Sequence, residues 1–159
     1  MEKDVLFSGV SSEIEILEFM SGGNSYGINV SDIKEILPYD KKCTAVPNSH
    51  PFIEGIIMPR DFLITIVNFL ASLQLTDIDE SKNEMLIVTS IDDFDIAFHV
   101  DSVSGIHRAM NSEIEKPGEE LSTAQTDFIS CIFKLEDRAI EVVEMRNIIK
   151  SINPDLKVG

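Results

Sequence analysis

Several things are scarce in this sequence, and each scarcity closes off a class of protein. There is no tryptophan, and 13 basic residues stand against 28 acidic ones, for a net charge of −15. Such a chain has little with which to neutralise a row of phosphates, which argues against nucleic acid. Contact with an anionic membrane surface is disfavoured on the same ground. Long hydrophobic runs are missing too. The longest, Phe62 to Leu73, is broken by Thr65 and Asn68 and is too short to span a bilayer. The opening MEKDVLFSGVSSEIE has acids where a secretory signal needs a basic start and an apolar stretch, which points to the cytoplasm. The two cysteines, Cys43 and Cys131, form neither a CxxC pair nor a metal-type spacing and read as reduced thiols.

Patterns that carry chemistry are equally sparse. No GxSxG is present, no GK[ST] follows SerGlyGlyAsn at 21–24, and neither cysteine has a neighbouring histidine. The segment 77–84 begins like a calcium loop, but Lys82 stands where glycine is needed and Val88 where the closing glutamate should be. His50 precedes a proline in a turn, His107 lies at a strand end, and His99 is expected to point outward, opposite Ile96, Phe98 and Val100. None has a Cys, His or Asp partner at metal spacing. AspAspPheAsp at 92–95 reads as a solvated hairpin turn and GluGlu at 119–120 as a solvated loop. The expectation is a protein with no active site, metal or cofactor.

What is present is a run of short strands in a chain of 159 residues, 43% of them hydrophobic, enough to bury a core. Strands are expected at Ile14–Phe19, Tyr26–Val30, Phe62–Val67, Met85–Val88, Ile96–Val100, Phe128–Leu135 and Ala139–Val143. The apolar parity of the first changes between Ile16 and Leu17, which implies a bulge or burial on both faces. SerGlyGlyAsn at 21–24 is a hairpin turn. Helices are few: about one turn at 49–53, a short one from Phe69 to Leu73 capped by Asn68, and Glu144 to Ile152. Linkers are expected at 76–83 and 111–126.

The chain also repeats itself weakly. Tyr26–Ile36 lies over Ile96–Ile106 with apolar positions coinciding, and Gly55–Phe69 lies over Cys131–Met145. A barrel-sized unit of about five strands, used twice, accounts for this, and two lobes leave a groove for a partner. Two charges stand out against that background. Glu35, in IleLysGluIle at 33–36, ends an early strand, and Arg60 sits at a turn between apolar strands. The plain reading makes both ordinary surface charges; the sharper one pairs them, or aims Arg60 at a carboxylate on a partner.

These residues resemble a known family. ValProAsnSerHisProPheIleGluGlyIleIle at 46–57, with the arginine turn and apolar strand after it, is similar to the CheW-like coupling domain of bacterial chemotaxis. SerTyrGlyIleAsnValSerAspIleLysGluIle at 25–36 fits the same pattern. Within the family, the N-terminal domain of CheV-type proteins is the nearest likeness, through AlaPheHisValAspSerVal at 97–103, IleHisArg at 106–108 and GluLysPro at 115–117.

The resemblance implies an all-β fold with a few short helices, in which two SH3-like five-stranded barrels form one domain over residues 8–150. The lobes, roughly 14–75 and 84–149, would be intertwined, and 151–159 would be a tail or the start of a linker to a receiver domain. It implies a non-enzymatic, cytoplasmic adaptor that binds the regulatory domain of a CheA-type histidine kinase and the cytoplasmic tip of chemoreceptors, with no nucleic acid and no membrane insertion. A divergent or decoy adaptor for another sensory kinase, and a double-barrel sensor of small ligands, are the alternatives. By matching position, Glu35 and Arg60 would be partner-binding, with Ile33, Ile36 and Ile56 as apolar neighbours and Val100, Val103 and Ile106 lining the groove of the second lobe. The sequence departs from the family pattern at Met58, Pro59, Asp61, Thr65, Asn68, Cys131, Asp137 and Glu144. Aspartate tolerates a left-handed turn at modest cost, Asn68 still caps a helix, and Glu144 is expected to cap poorly.

Overall fold

A computed structural model describes residues 13–40, 42–69, 84–91, 93–116 and 128–152. Within them lie β1 (Glu13–Ser21), β2 (Asn24–Asn29), β3 (Ile33–Pro38), β4 (Ile53–Ile57), β5 (Ile64–Asn68), β6 (Met85–Ile91), β7 (Phe94–Val100), β8 (Ser102–Met110), β9 (Ile114–Glu115), β10 (Ile129–Lys134), β11 (Ala139–Val143) and the helix α1 (Met145–Ile152). They build a six-stranded sheet, β8-β1-β2-β11-β10-β9, and a five-stranded sheet, β3-β6-β7-β5-β4. The fold is thus mostly β in two lobes, as the strand pattern implied.

The sheets exchange strands between the two halves of the chain. β1 and β2 leave the N-terminal half to pair with β8 and β11, while β3 to β7 form the other sheet among themselves. The internal repeat accounts for this exchange. β2 runs parallel to β11, and β7 runs parallel to β5, so each copy of the repeated strand meets the other repeated segment in the same way. Gly27 and Ala97, the small residues that coincide in the repeat, both lie in these parallel pairs.

Three apolar clusters fill the spaces. Ile16, Cys131, Phe133 and Ile140 pack inside the six-stranded lobe, and Ile64, Ile66, Leu86 and Val88 inside the five-stranded one. The third and largest lies between the lobes, where Leu17, Phe19 and Ile28 of one sheet meet Ile87, Phe98 and Val100 of the other under α1. Phe69 stands edge-on to both Phe19 and Tyr26, with ring centroids 4.9 and 5.0 Å away. Strands between two cores must be apolar on both faces. Hence Met85–Val88 reads as a continuous apolar run, and the parity of β1 changes at Ile16–Leu17. β1 also shifts register against β8 between Glu18 and Phe19, so it carries both the bulge and the two-faced burial.

Local expectations fare unevenly. The Gly22–Gly23 turn has φ of 58° and 82°, values that suit glycine, and closes the β1–β2 hairpin. The turn at 49–53 is not helical: Ile53 N–H donates to His50 O at 2.9 Å, and Ile53 opens β4. Glu144 caps better than expected, accepting from the Arg146 backbone N–H at 3.2 Å. Beyond Phe69 the expected short helix lies outside the described residues, as do the linker at 76–83 and the later part of 111–126; Asn111–Glu113 is a 3-10 turn leading into β9.

Candidate partner-docking site

The β4–β5 connection, Met58 to Leu63, is forced outward by its own backbone. Pro59 starts a tight turn, and Arg60 and Asp61 follow at φ of 53° and 67°. Each left-handed residue other than glycine costs on the order of 1–2 kcal/mol, a cost aspartate bears best. The turn closes with Phe62 N–H donating to Pro59 O at 3.2 Å. Met58, Phe62 and Leu63 are left as an apolar ridge, with Phe62 58% exposed. Exposed residues of this size, side by side, mark an interaction surface.

Two cations flank the ridge. Arg60 Nη2 donates to both carboxylate oxygens of Glu35 on β3, at 2.6 and 2.7 Å. The pair is solvent-facing, the Arg60 side chain being 68% exposed. One nitrogen serves both oxygens, and the rest of the guanidinium has no partner among the described residues, so its remaining N–H groups can take a second carboxylate. Lys34, also on β3, sits 5.0 Å from the centre of the Phe62 ring and forms an ion pair with Asp95 at 2.8 Å. Beside the ridge, α1 and the β5–β7 face enclose a groove of about 280 Å³ whose walls include Ile53, Leu63, Phe94, Ile96, Ile149 and Ile152.

The structure therefore joins Glu35 and Arg60 as the sequence suggested. Ile36 is exposed beside Glu35, and Ile56 is half-buried on β4. Ile33 and Val103 pack partly against the central core, while Ile106 projects from β8 in the other sheet. Val100 is a correction: it is 1% exposed inside the central cluster and has no surface to offer a partner. Residue reading missed Lys34, Phe62, Leu63, Phe94 and the α1 wall. The available signal was Phe62–Leu63, two large apolar residues directly after a turn, which read as the start of a strand.

The histidines resolve into three structural roles. His50 Nδ1 accepts the Phe52 N–H at 3.1 Å and its ring packs on Phe52 at 4.4 Å, so it holds a turn. His107 Nε2 is 2.9 Å from the buried Glu18 carboxylate, which Arg138 also holds. His99 does not point outward. It is largely buried between Glu54 and Glu84, at 2.6 and 2.8 Å, because the second face of β7 is covered by the five-stranded lobe's own core. Burial pushes the Cys131 thiol up to about 11, which removes it as a nucleophile at neutral pH. Among the described residues no group of three or more His, Cys, Asp or Glu is placed to hold a metal ion, and no helix is long and apolar enough to cross a membrane.

Two interlocked β-lobes with an apolar ridge, a flanking ion pair and an adjoining groove define a protein-docking module. The chain belongs to the CheW-like domain family, whose model matches residues 15–153. It is 25% identical over 130 residues to a chemotaxis protein CheW of Bacillus subtilis, covering 82% of this chain and 83% of that one. A CheW of Thermotoga maritima is 31% identical over 103 residues, covering 65% and 67%. The fold matches the crystal structure of the scaffolding protein TtCheW from Thermoanaerobacter tengcongensis with a TM-score of 0.81 at 22% identity, covering 93% of this chain and all of that one.

Proposed function

We propose that the protein is a non-enzymatic cytoplasmic adaptor of bacterial chemotaxis that couples chemoreceptors to a CheA-type histidine kinase by binding alone. The observation that carries this reading is the Glu35–Arg60 pair beside the Met58–Phe62–Leu63 ridge, with unused guanidinium N–H groups aimed at solvent. A helical partner suits it, since an amphipathic helix lays apolar anchors into a groove and places polar residues at the rim. The receptor tip is the partner assigned to the groove. The kinase regulatory domain binds one of the lobes. Such a scaffold changes the kinase equilibrium only by contacting one of its states better than the other. Calorimetric titration with the kinase regulatory domain, with and without a receptor-tip fragment, tests the reading. Binding to both is expected, and silence toward both from a folded sample would overturn it.

A further inference from the structure

We infer that a doubly protonated His99, bridging two ionised carboxylates on Glu54 and Glu84, is a proton-operated clamp on the five-stranded lobe, closed while the ring holds both protons and weakened when it loses one. With both carboxylates ionised, the geometry calls for two N–H groups. Nδ1 lies 2.6 Å from Glu54 Oε2 and Nε2 lies 2.8 Å from Glu84 Oε1, both charge-assisted distances. An ionised carboxylate only accepts, and a neutral imidazole has one donor, so a neutral ring would set a lone pair against one of the two acids.

The clamp ties β7 to β4, which the sheet does not join directly, and also to the start of β6, its neighbour in the sheet. His99 is on β7 and Glu54 on β4, with β5 between them, and Glu84 immediately precedes β6. The surroundings are compact. The Tyr39 ring stands edge-on to the imidazole at 4.7 Å, and Tyr39 N–H donates to Glu84 O at 3.0 Å. Cys43 Sγ donates to Glu54 O at 3.7 Å, and Thr44 bridges to Ile56 on β4. Among the described residues, the titratable groups against the ring are Glu54, Glu84 and Tyr39, with Cys43 behind Glu54. Burial alone would favour the neutral imidazole, but the hydrogen bonds and charges of Glu54 and then Glu84 outweigh it and raise its pKa. Burial, with Cys43 and Glu54 behind it, raises the Tyr39 phenol, so that group stays neutral throughout.

The sign follows from linkage. A histidine whose folded pKa lies above its unfolded value stabilises fully below the unfolded value, 6.5, and loses that contribution as pH rises through the folded one. β4 runs into the Arg60 turn, so the clamp sits at the root of the docking ridge. It needs no partner to be tested, and it stands or falls apart from the adaptor reading.

Nitrogen-detected NMR of the His99 imidazole in the whole chain, from pH 5 to 10, is the direct test. Both His99 nitrogens should carry protons at pH 6, with a titration midpoint above 6.5; a midpoint at or below 6.5 overturns the inference. Melting temperature against pH supplies the second readout. It should fall as pH rises above 6.5 in the wild type, and that fall should shrink in Glu54→Gln; parallel profiles overturn the clamp. If Glu54→Gln does not fold, the wild-type NMR titration decides alone.

Discussion

The Glu18 carboxylate receives two parallel hydrogen bonds from the Arg138 guanidinium, Nε to Oε2 and Nη2 to Oε1, both at 2.7 Å. Glu18 is on β1 and Arg138 precedes β11, so this contact closes the six-stranded lobe across strands far apart in sequence. His107 on β8 shares the same carboxylate. Arg138 lowers the Glu18 pKa most, burial pushes back, His107 adds to the lowering, and the result is about 2. Glu18 is buried while Arg138 is partly exposed and keeps Asp137 as a partner, so losing the Glu18 charge removes two strong hydrogen bonds without stranding a buried cation. Glu18→Gln should destabilise the protein measurably in urea at pH 7. Because the folded pKa lies below the ordinary 4.5, the contribution is present above 4.5 and fades as pH falls toward 2. The gap between wild type and variant should therefore be smaller at pH 3 than at pH 7. An equal gap at both would show that Glu18 acts by shape and not by charge.

Arg60 gives the opposite pattern. Its pair with Glu35 is exposed, and such pairs contribute about 0.5 kcal/mol or less. Arg60→Glu should leave the melting temperature within a few degrees while weakening partner binding about tenfold or more, about 1.4 kcal/mol. The double variant Glu35→Arg with Arg60→Glu should restore the internal pair without restoring the partner contact. Lost binding accompanied by a collapsed melting temperature would mean that the turn is structural and the site lies elsewhere.

Legibility in the sequence followed the physics of each feature. Alternation and turn chemistry are local, so the β1–β2 hairpin, β5, β7 and β11 could be read directly from their residues. The exchange of β1 and β2 into the C-terminal half could not, because nothing in Ile14–Phe19 says which strand will lie beside it. His99 was misjudged for a related reason. Period-two alternation puts it opposite Phe98 and Val100, but which face of β7 meets solvent depends on a second core that only the assembled sheet reveals. Glu35 and Arg60 were found as charges out of place among apolar neighbours. Lys34 and the α1 wall of the groove needed tertiary contact to appear. Val100 failed as a groove residue because it was placed there by its position in the family pattern, and position alone does not distinguish a core from a cleft.

Gly55 sits where no side chain fits. A Cβ built there would lie 2.6 Å from Thr44 O and 2.7 Å from Cys43 Sγ, and the first of these is backbone that cannot step aside. Gly55→Ala should therefore push the 43–44 segment off β4 and break the paired Thr44–Ile56 hydrogen bonds, both 2.9 Å. Overpacking of this kind costs about 1–3 kcal/mol. Urea unfolding should show that loss, and hydrogen exchange should show reduced protection at Ile56 with the six-stranded lobe unaffected. Unchanged protection at Ile56 would mean the segment has room that the structure does not show.

Phe62 offers the cleanest separation of docking from folding. It is more than half exposed, its ring rests under Lys34, and none of the three cores needs it. Phe62→Ser removes apolar surface from water-facing ridge and should leave stability within about 0.5 kcal/mol, as surface substitutions usually do. If the ridge is an anchor, an aromatic at its centre carries a large share of the binding energy, and its loss should cost about 2 kcal/mol or more toward the receptor-tip fragment. Titration against the kinase domain in parallel adds a control. Loss toward the receptor fragment alone assigns the ridge to the receptor, whereas loss toward the kinase domain alone reassigns it. No loss toward either would remove the ridge from the docking site and leave Glu35–Arg60 to act from the rim of some other surface.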